Sequence, residues 1–271
     1  TYTDLYQLSM AQVYFNKKQN QEATFDYYFR TLPFKGGYAV FAGLEELLTI
    51  IEELRFSKED LAYLKTLDFE DEFLNYLKDF RFGGKITSMS EGEIVFGTAP
   101  ILQVEANLIE AQIIETILLN TLNFQTLIAT KASRIRQVAG DKTLLDFGLR
   151  RAQGPGGYYA SRAAIIGGFD GSSNVITGRD FDIKISGTMA HAFVQSYDDE
   201  LTAFRDFAEN RPSNCVLLVD TYDTLRSGVP NAIKVAKEME SRGQKLLAIR
   251  LDSGDLAYLS KKSRAMLDDA N

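Results

Sequence analysis

From Asp141 onward, short apolar runs recur, each followed by polar or glycine-rich residues and then by a helical stretch. "TLLDF" leads to "GLRRAQG", "AIIGGF" to "DGSSN", "IKIS" to "GTMAH", "VLLVD" to "TYDT", and "LLAIR" to "LDSGD". Parallel strands need a long crossover, usually a helix, so five such units in a row predict parallel strands with helical crossovers. An open doubly wound sheet and a (β/α) barrel both give this rhythm. The chain has neither a G-x-G-x-x-G nor a G-x-x-x-x-G-K-[ST] segment, so the open-sheet nucleotide binders that carry those loops lose ground. In a barrel, the residues just after each strand converge on one mouth. Here they are Arg150, Asp170, Thr188, His191, Asp220, Arg250 and Asp252.

The first part of the chain follows a different plan. "ATFDYYFR" alternates as a strand does, "YAVFAGLEELLTIIEEL" has helical spacing, and Ser57 with Asp60 in "SKED" predicts a helix cap. "KITSMSEGEIVFG" reads as two short strands about a Ser-Glu-Gly turn, and "PILQVEA" as another strand. Two amphipathic helices are expected near 108–122 and 124–139. The fold class is α/β: an α+β domain over residues 1–123, then the first part of a (β/α) barrel over 124–271, with the barrel incomplete.

Bulk properties exclude several classes. A net charge of −7 and a single cysteine, Cys215, leave no basic footprint for nucleic acid and no internal disulfide framework. The most apolar stretch, "IIETILLNTLNFQTLIAT", is broken by Glu115, Asn120, Asn123 and Gln125, which suits a core helix and not a membrane span. No signal peptide is visible, and a cytoplasmic protein is expected. The chain starts at Thr1 and stops inside the helical pattern "KKSRAMLDDAN", as a piece of a longer protein would.

His191 is the one histidine. With Thr188 as N-cap it falls in the first turn of a helix, whose open N–H groups suit a phosphoryl group carried on the ring. The plain alternative is a histidine that satisfies a local hydrogen bond. No second histidine or further cysteine is present to share an ion of zinc type, so no protein-held metal is expected. Arg150 and Arg151 suit bidentate capture of carboxylate or phosphate. Phe147 offers a flat apolar face. Asp220 and Asp223, then Asp252 and Asp255, end two buried runs. One acid of each pair suits a helix cap, and the other could hold Mg²⁺ or steady a developing cation.

At these residues the sequence resembles the nicotinate phosphoribosyltransferase family. The resemblance runs through "TDLYQLSM", "EGEIVFGTAPILQVEA", "LLNTLNFQTLIATKASRI", "DFGLRRAQGPGG", "SGTMAH" and "IRLDSGDL" in that order. It implies a barrel of the type II phosphoribosyltransferase kind and formation of nicotinate mononucleotide and pyrophosphate from nicotinate and 5-phosphoribosyl 1-pyrophosphate. ATP would be a co-substrate, Mg²⁺ would be substrate-bound, and the pathway would be NAD salvage. The phosphohistidine of the family would be His191, with Asp220 and Asp252 facing the ribose and its metal-bound pyrophosphate. Tyr6, supplied by the neighbouring subunit of a homodimer with shared sites, and Phe147 would stack on the pyridine ring. Thr188 and Arg250 would contact nicotinate, and Arg150 and Asp170 would lie in the substrate site. The glycine-rich 5′-phosphate loops of the family are missing before Asn271, so this chain alone would be inactive. Alternatives are a nicotinamide or quinolinate phosphoribosyltransferase, a histidine phosphotransfer module, and a dead chain that only dimerises.

Overall fold

The structure, a computed structural model, describes residues 2–270 and divides into one unit ending at Ser186 and another beginning at Gly187. The first unit starts with helix α1 (Leu5–Lys17), strand β1 (Glu22–Tyr27), strand β2 (Ala39–Val40) and helix α2 (Leu44–Glu53). The helical spacing of "YAVFAGLEELL" therefore overstates the helix. Its first residues are extended because Val40 and Ala42 donate their N–H groups to the hydroxyls of Thr130 and Thr126, and Gly43 turns the chain at φ 102°. Helix α3 (Lys58–Lys65) is opened by the expected capping box, with Asp60 N donating to Ser57 Oγ and Ser57 N to Asp60 Oδ2. Helix α4 (Asp71–Lys78), strands β3 (Lys85–Ser88), β4 (Ile94–Val95) and β5 (Leu102–Asn107) follow.

The two strands about the Ser-Glu-Gly turn do not pair with each other. Strand β3 joins an antiparallel sheet of order β1-β5-β3, whereas β4 pairs with β2. Nor are there two helices after β5. Helix α5 is continuous over Leu108–Ala139, and position 123 lies in its middle. No proline or glycine interrupts "LNTLNFQTLIAT", so a polar step at Asn123 is not enough to end a helix. One side of α5 supplies Ile114, Ile117 and Leu122 to a core with Phe41, Leu47 and Leu102. Its first turns supply Ile109 and Ile113 to another with Leu8, Phe73 and Leu77.

Strand β6 (Leu145–Asp146) leads through a 3-10 turn, Leu149–Arg151, to helix α6 (Gly156–Ile166), strand β7 (Gly171–Ser172) and helix α7 (Val175–Phe181). "AIIGGF" is thus the end of a helix and its turn, not a strand. An apolar run of that length is ambiguous by periodicity alone, and Gly167, whose added Cβ would meet Ala129 O at 2.3 Å, lets the turn lie directly on α5. Strands β6 and β7 pair in parallel, and "IKIS" contributes a single parallel bridge, Ile185 to Ser172.

The second unit contains helices α8 (His191–Gln195) and α9 (Glu200–Asn210), strand β8 (Val216–Leu218), a π-helical turn at Thr224–Gly228, helix α10 (Val229–Glu240), strand β9 (Ala248–Arg250) and helix α11 (Leu256–Asp269). Strands β8 and β9 are parallel. Their core gathers Val194, Phe204, Leu217, Leu218, Val235 and Met239 around Cys215, whose thiol burial pushes up to about 11. Gly228 allows the π-turn to sit on the end of β8, since a Cβ there would lie 1.8 Å from Val219 O. The architecture is mixed α/β in both units.

Candidate active site

The parallel register pairs Leu218 with Arg250, and Val219 N donates to Arg250 O at 3.1 Å. Two residues further on, Asp220 and Asp252 therefore leave neighbouring strand ends together. Asp220 Oδ2 accepts three hydrogen bonds, from Asp252 N and Ser253 N at 2.6 Å and from Ser253 Oγ at 2.8 Å. The Asp220 side chain is 1% exposed, and its Oδ1 is buried without a hydrogen-bond partner. Burial pushes its carboxyl upward, but the Ser253 hydroxyl, the N–H groups of Asp252 and Ser253, and His191 outweigh this and hold it below the ordinary aspartate value.

His191 faces this pair. Its Nε2 lies 3.5 Å from Asp252 Oδ2 and 3.9 Å from Asp220 Oδ1, and its Nδ1 lies 3.2 Å from Thr221 Oγ1. The ring is one-third exposed. Arg250 closes the arrangement: Nη2 donates to Asp252 Oδ1 at 2.5 Å and Nη1 to Thr188 Oγ1 at 3.2 Å. Imidazole and guanidinium thus meet at one carboxylate, and Thr188, His191, Asp220, Arg250 and Asp252 form a single cluster.

Two details differ from the sequence reading. Thr188 is not the N-cap: the cap is Ala190, in extended backbone, and His191 is the first helical residue. The Thr188 hydroxyl is occupied instead with Met189 O and Arg250. Helix α8 has only five residues, so the ring is placed by its side-chain partners and not by a helix end. Thr221 and Ser253 were not foreseen. The signal was present, since each strand-end aspartate is followed directly by a hydroxyl residue, in "DT" and "DS".

The first-unit candidates are described by themselves. Phe147 and Arg150 lie on the turn after β6, and Phe147 is 40% exposed. Tyr6 on α1 is 51% exposed, and its hydroxyl donates to Glu115 Oε1 at 3.4 Å. Asp170 has a structural occupation: its Oδ2 accepts from Leu144 N at 2.7 Å and from Arg136 Nη2 at 2.5 Å. The Leu144 N–H and then Arg136 hold its carboxyl below the usual range. Among the described residues, no three or more His, Cys, Asp and Glu side chains form a metal cluster, and no helix is long and apolar enough to cross a membrane.

The Asp220 arrangement gives a test by acid. Its folded pKa lies below the unfolded one, so its contribution to stability is full above the unfolded value and lost as pH falls through the folded value. Urea midpoints measured from pH 6 down to pH 3 should fall less steeply in Asp220→Asn than in the parent. Parallel curves would show that this carboxylate is not what the fold holds ionised.

Two family models match the chain: the nicotinate phosphoribosyltransferase (NAPRTase) N-terminal domain over residues 1–123, and the nicotinate phosphoribosyltransferase (NAPRTase) family over 143–268. A nicotinate phosphoribosyltransferase of Bacillus subtilis is 54% identical over 99% of this chain and 55% of its own length. The chain belongs to the nicotinate phosphoribosyltransferase family. Among solved structures, human nicotinic acid phosphoribosyltransferase superposes with a TM-score of 0.88 at 31% identity, over 99% of this chain and 64% of that one. A nicotinate-nucleotide pyrophosphorylase from Pyrococcus furiosus gives 0.79 at 26%, over 99% and 62%. The chain spans about half the length of the curated family members it matches.

Proposed function

We propose that the complete protein is a nicotinate phosphoribosyltransferase, forming nicotinate mononucleotide and pyrophosphate from nicotinate and 5-phosphoribosyl 1-pyrophosphate. The observation that carries this reading is the strand-end cluster of His191, Asp220, Arg250 and Asp252, in a chain whose family is named for that reaction. The nicotinate ring nitrogen attacks C1 of the ribosyl donor, the C1–O bond to pyrophosphate breaks, and pyrophosphate leaves with the bonding pair. Positive charge develops on the ribose, and anionic Asp220 and Asp252 are suited to steady it. Arg250, already anchored at Asp252 and Thr188, pairs with the nicotinate carboxylate. Tyr6 from the neighbouring subunit of a homodimer and Phe147 sandwich the pyridine, and Arg150 meets a phosphate. The strand–helix units that follow α5 are the first part of a (β/α) barrel whose remaining strands and 5′-phosphate loops lie in the rest of the protein, so the isolated chain is inactive.

ATP hydrolysis is coupled through His191. With Nδ1–H donating to Thr221 Oγ1, Nε2 carries the lone pair. Nε2 attacks the γ-phosphorus of ATP, the N–P bond forms, the P–O bond to ADP breaks, and ADP leaves. Water later hydrolyses the N–P bond and releases inorganic phosphate. The phosphoenzyme advances the reaction only by binding substrates or the transition state better than the free enzyme does. A phosphoryl group approaching Nε2 meets two carboxylates, so it must bring a cation. The unpartnered Asp220 Oδ1 beside Asp252 fits substrate-bound Mg²⁺, which takes oxygen ligands and neutralises phosphate charge. Consumption of nicotinate in NAD salvage, in the cytoplasm, follows from this reading.

Turnover of nicotinate, nicotinamide and quinolinate by the complete protein decides among the phosphoribosyltransferases. Nicotinate should be preferred by at least about tenfold in kcat/KM, because a guanidinium left without its carboxylate costs roughly 1.4 kcal/mol or more. Preference for nicotinamide would overturn the assignment, and a second carboxylate favoured by the enzyme would point to quinolinate.

A further inference from the structure

The turn that carries Phe147 and Arg150 is built on a buried polar network that the proposed reaction does not use. Ser161, Ser172, Asn174 and Thr177 are all buried, although each bears a polar side chain. Asp146, the last residue of β6, is where the network meets the turn. Its Oδ2 accepts from Ser161 Oγ at 2.9 Å and lies 3.2 Å from Ser172 Oγ, and its Oδ1 accepts from Gly148 N at 2.8 Å. The hydroxyls are held in turn: Asn174 N donates to Ser172 Oγ at 3.1 Å, and Asn174 Nδ2 lies 3.4 Å from Ser161 Oγ. One carboxylate therefore ties helix α6, strand β7 and the start of α7 to the backbone two residues beyond itself.

The glycine at 148 agrees with this. Its φ is an ordinary −85°, so conformation does not demand glycine. Space does, because a Cβ there would stand 2.9 Å from Asp146 Oδ1. Around this anchor Phe147, Leu149 and Arg150 are exposed, whereas Asp146 is half-buried. Leu149 Cδ1 lies against Gly157 of helix α6, where an added Cβ would meet it at 2.7 Å, so this contact and the Asp146 hydrogen bonds together hold the exposed turn.

We propose that Asp146 is a positioning residue for pyridine binding, acting through the Gly148 N–H and the Ser161 and Ser172 hydroxyls to fix the turn that presents Phe147 and Arg150. This rests on the reading of Phe147 as the stacking face. Misplacing a binding group by about 1 Å can cost up to roughly a hundredfold in rate or affinity, far more than the loss of one surface hydrogen bond.

The network also predicts which substitution is tolerated. In Asp146→Asn the amide oxygen can still accept from Gly148 N. The Ser161 hydroxyl can turn to Gly157 O, 3.1 Å away, and the Ser172 hydroxyl to the residue-146 carbonyl at 3.3 Å, leaving both free to accept from the new NH₂. In Asp146→Ala nothing replaces the acceptor.

The test is steady-state kinetics of the complete protein with nicotinate as varied substrate, together with thermal midpoints. Asp146→Ala should raise KM for nicotinate by about tenfold or more with a much smaller change in kcat, and Asp146→Asn should stay within about threefold of the parent. If Asp146→Ala does not fold, Ser161→Ala combined with Ser172→Ala removes the Oδ2 donors and should raise the same KM by about fivefold. A lowered midpoint with unchanged KM in these variants overturns the proposal, as does an Asp146→Asn variant as impaired as Asp146→Ala. Phe147→Ala separates the two readings: if it leaves KM for nicotinate unchanged, the stacking assignment itself fails, whereas a raised KM there beside a normal KM in Asp146→Ala refutes only the positioning role.

Discussion

His191→Ala in the complete protein is expected to abolish ATP stimulation of nicotinate mononucleotide formation while leaving a slower, ATP-independent transfer. The imidazole is the only side chain of the cluster with a nucleophilic nitrogen free to accept a phosphoryl group; Arg250 is committed to Asp252 and Thr188. In the proposed mechanism the ribosyl transfer uses the carboxylates and the guanidinium, which the substitution leaves in place. Loss of about tenfold or more of the rate at saturating ATP, with the ATP-free rate changed by less than about threefold, is the expected pattern, each factor of ten being 1.36 kcal/mol of barrier. Incubation with γ-labelled ATP should label the parent and not the variant, in an acid-labile, alkali-stable linkage. ATP stimulation that survives in His191→Ala would remove His191 from the coupling step and leave only the ribosyl-transfer part of the proposal standing.

Arg162→Ala is expected to destabilise the first unit strongly. The Arg162 guanidinium, 12% exposed, is gripped by Glu91 through two hydrogen bonds, Nη1 to Oε1 at 3.0 Å and Nη2 to Oε2 at 2.7 Å. It also pairs with Glu46 at 3.0 Å and with Glu45. Glu91 in turn caps helix α2 by accepting from Gly43 N and Leu44 N, at 2.5 and 3.1 Å. Removing the cation leaves two half-buried carboxylates facing each other without compensation, a change that costs about 3–5 kcal/mol in buried pairs. That is a large fraction of the roughly 5–15 kcal/mol that holds a domain folded. The replacement Arg162→Lys should recover little, because a single ammonium cannot serve three carboxylates in a fork. Chemical denaturation midpoints of the complete protein test this, and a shift equivalent to less than about 1 kcal/mol would show that the cluster is solvated in solution.

The strand-end acids were legible because their physics is local. A run such as "VLLVD" announces a buried strand that ends in a charge, and parallel pairing then puts Asp220 beside Asp252. The partners of those acids were less visible, because Thr221 and Ser253 look like ordinary loop residues until the register fixes their direction. The Arg162 cluster was invisible for a different reason. Its members lie at positions 45, 46, 91 and 162, and nothing in the helical pattern "GGYYASRAAII" marks one arginine as enclosed. The miscast "AIIGGF" shows the limit of apolar runs as a signal. Six such residues suit a strand or a helix end equally, and only the close approach of Gly167 to α5 decides. Asp170, read as a ligand group, also accepts from Arg136 and Leu144 N, since a carboxylate at a strand end is as useful for closing a loop as for holding a substrate.

Helix α5, about 48 Å long for its 32 residues, sets how this protein can be taken apart. A cut at position 123, where the family's amino-terminal region ends, would split a rod that packs through Ile114, Ile117 and Leu122 before the cut and through Ala129 on Val40 and Ala42 after it, and each half would carry a raw greasy edge into water. Separate expression of the two sequence regions should therefore yield insoluble fragments, whereas a break after Ser186 respects the way the chain is knit.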